Sequence, residues 1–430
     1  MLSSASQPPP WYRRRRYLHF DRPIGEKKAT RIVKLPDCVT KHSFYPLIKY
    51  QLVSKKIRKT EDGKIEFKEK TRDISYAAHV DAHVYSFYAK TLDEHYENFL
   101  SVNDLSSCVL AFRSLGKSNI EFAKDAFDEI ASRPQCAAVA LDVSGFFDNL
   151  DHEIIKRQWC KLLGLSSLPD DHYNIFKSLT KFSTVDRTKL YKLFGISPSN
   201  PKHERNRVCT PREFRLCVRA TGLVETNPNK FGIPQGTPIS STLSNIYMMD
   251  FDLAMNHYAK NMGGVYLRYC DDILFIVPVH EMKKCEDIAA QGLVDLKLSI
   301  NSGKTVRREF MRQSGVLRSV KPLQYLGFTF DGQQILIRSA AFARYSNRMK
   351  RGVRLAKATS RRWNRLRSER GAKEKDIYRR KLYRAYSHLG RRNFITYGYR
   401  AAKKMNSSAI RRQLKPLWHR LLNEIENAEK

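Results

Sequence analysis

The sequence predicts an α+β fold that ends in an almost entirely helical segment. Two kinds of pattern predict it. Stretches with apolar residues at helical spacing alternate with short apolar runs that turn back on themselves as hairpins. From residue 341 onward the hairpins cease, and arginine and lysine are interleaved with aromatic residues at helical spacing.

The elements can be placed in order along the chain. Residues 1–40 begin with serine and proline and carry four consecutive arginines at 13–16, as either a solvated arm or a contact for nucleic acid. A weakly alternating hairpin within 43–69 turns at Asp62-Gly63, and the polar, proline-containing residues 196–230 form a long connection. The other expected elements are helices at 75–100, 118–131 (capped by Ser118), most of 152–195, 238–262 and 281–297, and hairpins at 265–278 and around Asp331-Gly332.

Composition restricts the possible partners. The 430 residues carry a formal net charge of +35, an excess that opposes compaction and therefore suits a polyanion. Nucleic acid and an anionic membrane surface both qualify, but no apolar run reaches the roughly 18 residues that a spanning helix needs, and we expect no membrane partner. The N-terminus lacks an apolar signal core and the eight cysteines lack zinc-ligand spacing, so we expect free thiols in a reducing cytoplasm.

The excess charge is concentrated at the C-terminal end. Residues 341–430 contain 27 Lys and Arg against 6 Asp and Glu, a net charge of +21. Aromatic residues stand among the arginines, which is typical of a helical bundle with a basic face for nucleic acid. Structured RNA suits such a face, because RNA is recognised through its shape, its phosphates and its unstacked bases.

Two adjacent acids stand out inside an apolar run. Asp271 and Asp272 follow the apolar residues 265–267 closely and directly precede the apolar residues 273–277. Carboxylates in a buried hairpin are costly unless cations neutralise them. Adjacent strand residues face opposite ways, but at a hairpin tip both side chains can reach one site. Taken alone, the pair is explained equally well by a polar turn.

A third acid changes this balance. Asp142 ends the apolar run 138–141 and precedes a tight, aromatic-rich turn, an unusual place for a structural carboxylate. Phosphoryl transfer to a 3′-hydroxyl uses two divalent ions about 3.5–4 Å apart, held by carboxylates. We expect Asp142 and Asp271, with the Val143 carbonyl, to hold two Mg²⁺ ions, for which Mn²⁺ can substitute, and Asp272 to be a weaker or outer ligand.

Five short motifs, in the expected order between residues 138 and 330, resemble those of the reverse transcriptase family. A chance match of one is plausible, but a chance match of all five is negligible. They are Leu-Asp-Val at 141–143 with Phe-Phe-Asp at 146–148, Gly-Ile-Pro-Gln-Gly-Thr-Pro at 232–238, Tyr-Cys-Asp-Asp at 269–272, the set Leu298, Asn301, Gly303, Lys304 and Thr305, and the primer-grip motif Leu-Gln-Tyr-Leu-Gly-Phe at 323–328.

The resemblance implies a right-hand polymerase. A basic N-terminal extension would occupy residues 1–40, the fingers 41–137, the palm 138–335 with an inserted segment at about 196–230, and a basic helical thumb 336–430. The implied activity is RNA-directed DNA polymerisation, with Asp142, Asp271 and Asp272 as catalytic acids. The implied partners are an RNA template, deoxynucleoside triphosphates and a cDNA product.

The resemblance also implies roles for further residues, for each of which core packing or surface charge is the plain alternative. Phe147 would stack under the incoming sugar and exclude a 2′-hydroxyl. Gln235 and Gly236 would lie against the nascent base pair, where a missing side chain permits close approach. The triphosphate would be held by Arg72, whose guanidinium suits phosphate oxygens, and by Lys70 and Lys304. Template or primer would be contacted by Arg113, Lys117, Tyr269, Leu326 and Gly327.

The run Phe-Phe-Asp-Asn-Leu-Asp-His at 146–152 resembles the bacterial branch of the family, which includes intron-encoded, retron and defence-associated enzymes. The sequence shows no HNH-like cluster, no second acidic cluster as in RNase H, and no Val-Thr-Gly of retron thumbs. The nearest resemblance is then to the defence-associated enzymes, of type 2, which implies anti-phage activity on a structured non-coding RNA. An RNA-dependent RNA polymerase, a maturase-like RNA-binding protein and a template-independent, protein-primed polymerase remain alternatives, and the oligomeric state stays open.

Overall fold

The computed structural model describes residues 7–59 and 65–427. Its helices are α1 (Glu26–Val33), α2 (Pro36–Thr40), α3 (His79–Val102), α4 (Asn119–Ser132), α5 (His152–Leu163), α6 (Asp170–Thr180), α7 (Arg187–Leu193), α8 (Pro211–Glu213), α9 (Ser240–Tyr247), α10 (Met249–Asn261), α11 (Met282–Asp295), α12 (Ser339–Ser368), α13 (Arg379–Tyr386), α14 (Phe394–Lys404), α15 (Ser408–Leu414) and α16 (Leu417–Glu426). Its strands are β1 (Leu47–Lys59), β2 (Ile65–Tyr76), β3 (Gln135–Asp142), β4 (Ser183–Asp186), β5 (Glu225–Thr226), β6 (Val265–Tyr269), β7 (Asp272–Val277), β8 (Val306–Gln313), β9 (Val316–Arg318), β10 (Leu323–Tyr325), β11 (Phe328–Phe330) and β12 (Ile335–Ile337).

The N-terminal arm is packed against helix α3. Trp11 is buried, and its ring lies 5.7 Å from the ring of Phe87. Asp21 accepts hydrogen bonds at 2.9 Å from the backbone N–H groups of His79 and Val80, and so satisfies donors in the first turn of α3. The arm is therefore part of the folded unit, which removes the solvated-arm alternative.

The four consecutive arginines of this arm do not share one environment. Arg15 turns inward and donates to the Ser86 hydroxyl at 2.7 Å. Arg13, Arg14 and Arg16 are exposed. Contact of these three with nucleic acid stays a prediction.

A four-stranded sheet in the order β2-β1-β4-β5 forms the first layer, and we call it the fingers sheet. β1 and β2 pair antiparallel, with Ile48 opposite Tyr76 and Lys59 opposite Ile65, so the predicted hairpin is confirmed. Its predicted turn at Asp62-Gly63 lies outside the described residues. β1 also pairs in parallel with β4. The stretch 152–195 thus contributes helices α5, α6 and α7, as expected, and one short strand that was not expected.

The polar segment 196–230 is folded onto the fingers sheet. Thr210 and Glu213 form a capping box at α8, which continues as a π-helical turn over Phe214–Arg219. The ring of Phe214 lies 4.7 Å from that of Phe20 in the N-terminal arm, and Val208 is fully buried in the same core. The segment is therefore more than a connection, because apolar residues at intervals in it anchor it to the fingers side, and its description as an insertion in the palm stays a prediction.

A five-stranded antiparallel sheet in the order β6-β7-β3-β8-β9 forms the second layer, and we call it the palm sheet. Val139 and Leu141 of β3 face a core shared with α3, α5, α9, α10 and α11. Cys136 and Ala138 face a second core shared with α4 and the C-terminal helices. Because both faces are covered, β3 and β7 read as continuous apolar runs.

The predicted palm helices are present. α9 and α10 cover the stretch expected at 238–262, and α11 covers most of 281–297. α4 begins after Ser118, which forms the predicted cap as a capping box with Glu121.

A three-stranded sheet, β10-β11-β12, leads into the C-terminal helices. The hairpin around Asp331-Gly332 is confirmed, with Phe330 opposite Ile335. α12 then runs for 30 residues and buries Tyr345, Met349 and Val353 at four-residue spacing, as the helical prediction required. Among the helices of residues 7–59 and 65–427, none combines the length and apolar character needed to cross a membrane.

Candidate active site

The three predicted catalytic acids lie at one edge of the palm sheet. Asp142 is the last residue of β3 and Asp272 the first of β7, and the two are direct partners in the antiparallel register. The backbone N–H of Val143 donates to the carbonyl of Asp271 at 3.1 Å, which ties the third acid to the end of β3. Strand pairing thus brings together residues that are far apart in the sequence.

A tight turn carries Asp271. Tyr269 pairs with Asp272, so Cys270 and Asp271 form a two-residue hairpin loop. Cys270 has a φ of 61°, in the left-handed region that glycine favours at this position of a hairpin loop. The loop therefore holds backbone strain beside the acids, as functional sites often do.

The charges of the two neighbouring acids disfavour the ionised form of Asp272. Burial, reinforced by the charges of Asp271 and Asp142, raises the pKa of Asp272 to about 6. Lys304 forms an ion pair with Asp142. The positive charge of Arg338 lowers the pKa of Asp272, whereas the charges of the two neighbouring acids raise it. Two basic side chains thus offset part of the negative charge at this edge.

The donor set at this edge fits a hard divalent cation. Within residues 7–59 and 65–427, no three His, Cys, Asp or Glu side chains converge as a ready-made metal cage. The available donors are carboxylate oxygens and the Val143 carbonyl, and Mg²⁺ takes oxygen ligands while keeping several waters. Direct partners on antiparallel strands face the same side of a sheet, so Asp272 lies beside Asp142. The expectation that Asp272 stands back from the metals stays a prediction.

Lys304 is held at the acidic edge by backbone hydrogen bonds. The N–H of Asn301 donates to the carbonyl of Asp142 at 2.7 Å. The N–H of Ser144 donates to the carbonyl of Ser299 at 2.8 Å. These two hydrogen bonds fix the motif around Asn301 and Lys304 to the end of β3, and so position Lys304 for its ion pair with Asp142.

The loop at 232–238 joins the fingers sheet to the turn after β3. The carbonyl of Gln235 accepts a hydrogen bond from the N–H of Ser75 in β2 at 2.8 Å, and the Gln235 amide donates to Asp148 at 3.2 Å. Gly236 has a φ of 112°, and a Cβ there would lie 2.6 Å from the Ser75 carbonyl oxygen. Only glycine permits this approach to the fingers strand. The expected contact of Gln235 and Gly236 with a nascent base pair stays a prediction.

Phe147 lies against the same loop. Its carbonyl accepts a hydrogen bond from the N–H of Ile233 at 3.0 Å. Its ring packs edge-on against Phe146 at 5.6 Å between centroids, and it is only partly buried whereas Phe146 is buried. The structure thus brings Phe147 and Gln235 together and leaves part of the Phe147 ring accessible.

The two predicted triphosphate ligands of the fingers lie on β2. Arg72 is exposed and Lys70 partly exposed, three and five residues before Ser75. With a rise of about 3.3 Å per strand residue, Arg72 lies about 10 Å along the strand from the Ser75–Gln235 hydrogen bond. Contact of either cation with a nucleotide stays a prediction.

The sequence predicted that Arg113 contacts the template, but in the structure its side chain is bound within the protein. Its side chain is 3% exposed and forms a bidentate ion pair with Glu97, with N–O distances of 2.8 and 2.6 Å. Its remaining terminal nitrogen donates to the carbonyls of Ser106 and Val109. The guanidinium is committed to the loop after α3, so its role here is structural. Lys117 is ion-paired with Asp125 at the surface, and its template contact stays a prediction.

The primer-grip turn connects β10 and β11. Leu326 and Gly327 both have positive φ, 44° and 94°. The Leu326 carbonyl accepts from the Asn119 side chain at 3.0 Å, and the Gly327 carbonyl accepts from the N–H of Arg338 at 3.2 Å. The turn is therefore fixed from α4 on one side and from the start of α12 on the other.

A buried ion pair that was not predicted from the sequence supports the Tyr-Cys-Asp-Asp hairpin. Arg268 and Asp252 are both 0% exposed and share two N–O contacts of 2.6 Å. Arg268 also donates to the Cys270 carbonyl at 3.2 Å, and Tyr266 donates to Asp252 at 2.7 Å. An arginine alternating with apolar residues in β6 was the available signal, because such a residue needs a buried acid.

An acidic sheet edge, a glycine loop wedged against the fingers sheet and a helical C-terminal lobe together define a right-hand polymerase fold. The chain belongs to the reverse transcriptase (RNA-dependent DNA polymerase) family, whose profile matches residues 57–330.

Two telomerases are among the solved structures to which this chain is similar. Apo telomerase from Candida tropicalis, truncated from its C-terminal domain, is 10% identical with a TM-score of 0.42, over 74% of this chain and 61% of that one. Telomerase from Candida albicans in complex with a TWJ fragment of telomeric RNA is 12% identical with a TM-score of 0.41, over 93% of this chain and 66% of that one. This chain spans less than two thirds of either structure, and no curated protein matches it.

Proposed function

We propose that this chain is an RNA-directed DNA polymerase that extends a primer 3′ end by a two-metal mechanism. The observation that carries the proposal is the pairing of Asp142 with Asp272 at the end of the palm sheet, with Asp271 in the adjoining turn. Membership of the reverse transcriptase family supports it. The all-oxygen donor set supports Mg²⁺ as the cofactor, with Mn²⁺ as a substitute.

The catalytic role of each acid follows from the donor set. Two bound divalent ions would activate the attacking 3′-hydroxyl and stabilise the leaving pyrophosphate. Asp142 and Asp271, with the Val143 carbonyl, would hold them, and Asp272 would support the pair from the neighbouring strand position. Lys304, which lies at the same edge, would donate a proton or a hydrogen bond from Nζ to a phosphate oxygen.

The substrate preference is argued from the glycine loop. Phe147 accepts a backbone hydrogen bond from Ile233, and the Gln235 amide donates to Asp148, so both residues contact the turn that follows Asp142 at the end of β3. A ring at this position would exclude a 2′-hydroxyl and so select deoxynucleotides. Arg72 on β2 would hold the triphosphate, because its fork of donors matches phosphate oxygens.

Primer extension on a defined RNA template tests the polymerase proposal. We expect Asp142→Asn and Asp271→Asn each to lower extension with dNTPs by roughly a thousandfold or more, as for other catalytic groups. Asp287→Asn is the matched control, because this acid is exposed on α11 and forms a surface ion pair with Lys283. The proposal would be refuted if Asp142→Asn and Asp271→Asn extended the primer at rates within tenfold of the rate of the unmodified protein.

The same assay separates the alternatives. Preference for NTPs over dNTPs would favour an RNA-dependent RNA polymerase. Synthesis without template or primer, with product attached to the protein, would favour a protein-primed enzyme. Binding of RNA without any synthesis would favour a maturase-like binding protein.

We further propose that the template is a structured non-coding RNA in a bacterial cell and that the cDNA serves anti-phage defence. The support is the sequence resemblance of residues 146–152 and the net charge of +21 in residues 341–430. Sequencing the nucleic acid that co-purifies with the protein identifies the template and any cDNA. Phage plating with the Asp271→Ala/Asp272→Ala double variant tests the role, and full protection by this variant would contradict it.

A cytoplasmic location is part of the same proposal. All eight cysteines lie in the described part of the chain and are free thiols, and six of them are buried. A reducing compartment keeps such thiols intact. Recovery of the protein in an extracytoplasmic fraction of the cell would contradict this location.

A further inference from the structure

Residues 187–224 form a lobe over one face of the fingers sheet, and we call it the fingers lobe. Ile48 of β1 and Val185 of β4 share a buried core with Leu190 of α7 and Val218 of the π-helical turn. The apolar side of these lobe elements is thereby buried against the sheet, and their other side faces the solvent.

The fingers lobe carries an excess of positive charge. Residues 187–224 contain nine Lys and Arg against two Asp and Glu, a net charge of +7. Glu213 is engaged in the capping box at α8, and Glu204 lies 4.0 Å from a ring nitrogen of His203. Neither acid is paired with a lysine or arginine in the described part of the chain, so the excess is left uncompensated.

Three arginines form a row on the outer side of the lobe. Arg212 lies in α8, and Arg215 and Arg219 lie in the π-helical turn. All three are exposed, whereas Phe214 and Val218 of the same turn are buried. Side chains three and four residues apart are neighbours on a helix, and like charges at that spacing destabilise it. Within residues 7–59 and 65–427 none of the three arginines forms an ion pair, so an external polyanion would relieve their repulsion.

A second basic row lies on α7. Lys189 and Lys192 are exposed and three residues apart, so they are neighbours on the helix surface. Asp186 caps this helix by accepting from the N–H of Lys189. Because α7 and the π-helical turn share one buried core, both rows belong to the outer surface of the same lobe.

The aromatic residues of the lobe point inward. Tyr191 and Phe214 are buried, and Phe194 is half-buried against the same core. Proteins that bind single-stranded nucleic acid stack its bases on aromatic rings, and these three rings are not placed for that. Double-stranded RNA is recognised through its shape, its phosphates and its 2′-hydroxyls. Charge without stacking rings therefore favours a double-helical partner.

An anionic membrane surface fits the lobe less well. Leu193 and Leu216 are exposed among the cations. A helix that lies in a membrane surface buries a continuous apolar face there. The apolar faces of α7 and the π-helical turn are already buried in the protein, and two separate leucines do not replace them.

We propose that the fingers lobe binds backbone phosphates of a double-helical RNA stem outside the copied template strand, through Arg212, Arg215 and Arg219, with Lys189 and Lys192 beside them. Guanidinium groups match phosphate oxygens, and a polyanion offsets the row of like charges. The proposal rests on the proposed function of the chain as a polymerase that copies RNA, because the stem belongs to that RNA.

The lobe covers the face of the fingers sheet that also carries Arg72. Tyr76 packs against the lobe core, and Arg72 precedes it by four residues on β2, so the two side chains lie on the same face of the strand. An RNA stem on the lobe would therefore lie on the side of the sheet where the triphosphate is expected. This position suits a stem that flanks the copied stretch.

Titration with a blunt RNA hairpin tests the proposal without catalysis. The full chain is titrated in EDTA with a hairpin that has a stem of about 16 base pairs, the span of a double-stranded RNA-binding domain, and no recessed 3′ end. We expect Arg212→Ala/Arg215→Ala/Arg219→Ala to weaken binding by roughly tenfold or more, because three charge-assisted contacts are lost. The slope of log affinity against log salt should become shallower by about 2–3, at about 0.9 for each phosphate contact.

Lys283→Ala/Lys284→Ala/Arg318→Ala is the matched control, because it removes the same charge from three exposed positions of the palm. We expect it to leave the affinity for the hairpin and the salt slope close to those of the unmodified protein. In a parallel titration with unstructured single-stranded RNA of the same length, the lobe variant should lose much less affinity than with the hairpin. If the Tm of the lobe variant falls, Lys189→Ala/Lys192→Ala gives the same test on the second row.

Equal hairpin affinity of the lobe variant and the control would overturn the proposal, and so would an equal loss of affinity for single-stranded RNA. Vesicles of phosphatidylserine test the membrane alternative. Vesicle binding that the lobe variant loses, with hairpin affinity unchanged, would assign the lobe to a membrane surface instead. If the unmodified protein does not incorporate dNTPs but the lobe variant still loses hairpin binding, the polymerase function is refuted and the RNA-binding role of the lobe stands.

Discussion

The buried pair Arg268–Asp252 gives a strong test of how the catalytic hairpin is held. Arg268→Ala leaves the Asp252 carboxylate fully buried, with the Tyr266 hydroxyl as one remaining donor. Removing one partner of a buried ion pair costs about 3–5 kcal/mol, because the other charge stays uncompensated. The two N–O contacts of 2.6 Å and the hydrogen bond from Arg268 to the Cys270 carbonyl favour a value within this range.

Hydrogen exchange of peptides from β6 and β7 measures this cost locally. A loss of about 3 kcal/mol corresponds to opening that is more than a hundredfold easier, at about 1.4 kcal/mol per factor of ten. Primer extension should fall in parallel, because the Cys270 carbonyl loses its anchor beside the acids.

The matched control removes an exposed ion pair that involves the same helix. Lys161→Ala breaks the ion pair between Lys161 and Asp250 of α10. The two side chains are 51% and 44% exposed, so we expect the free energy of unfolding to change by less than about 1 kcal/mol. Arg268→Met combined with Asp252→Leu should recover much of the loss, because no charge is then left buried. If Arg268→Ala accelerates exchange no more than the control does, the structural role given to this pair is refuted.

Three further outcomes are expected. Phe147→Ala should raise incorporation of NTPs relative to dNTPs by roughly tenfold or more in a competition assay, and an unchanged ratio would count against the sugar-excluding role. Gly236→Ala should raise the KM for dNTPs and lower Tm, since a Cβ there lies 2.6 Å from the Ser75 carbonyl oxygen, and a variant equal to the parent in both would contradict the close approach. Burial raises the pKa of Asp93 to about 6, above the ordinary value of 3.8, so the folded state takes up its proton first and stability grows as the pH falls through 6 toward 4. Asp93→Asn should remove this part of the gain in Tm on acidification, and an identical pH profile of Tm in both proteins would show that Asp93 does not titrate in that way.

Local patterns were enough to predict the main elements of the palm. The apolar runs before Asp142 and after Asp272 mark strands buried on both faces, and Ser118 marks the start of α4. The four residues of β4 escaped prediction, because a strand of that length shows no periodicity between helices. The folding of residues 196–230 onto the fingers side also depends on distant partners that no local pattern names.

Site residues that belong to a recognisable motif were predicted from the sequence. The roles of residues whose partners lie far away in the sequence were not. Gly236 was singled out through its motif as a position of close approach, and in the structure a Cβ there would lie 2.6 Å from the Ser75 carbonyl oxygen. Arg113 looked like a surface cation, since its partner Glu97 lies on the preceding helix and only the fold brings them together.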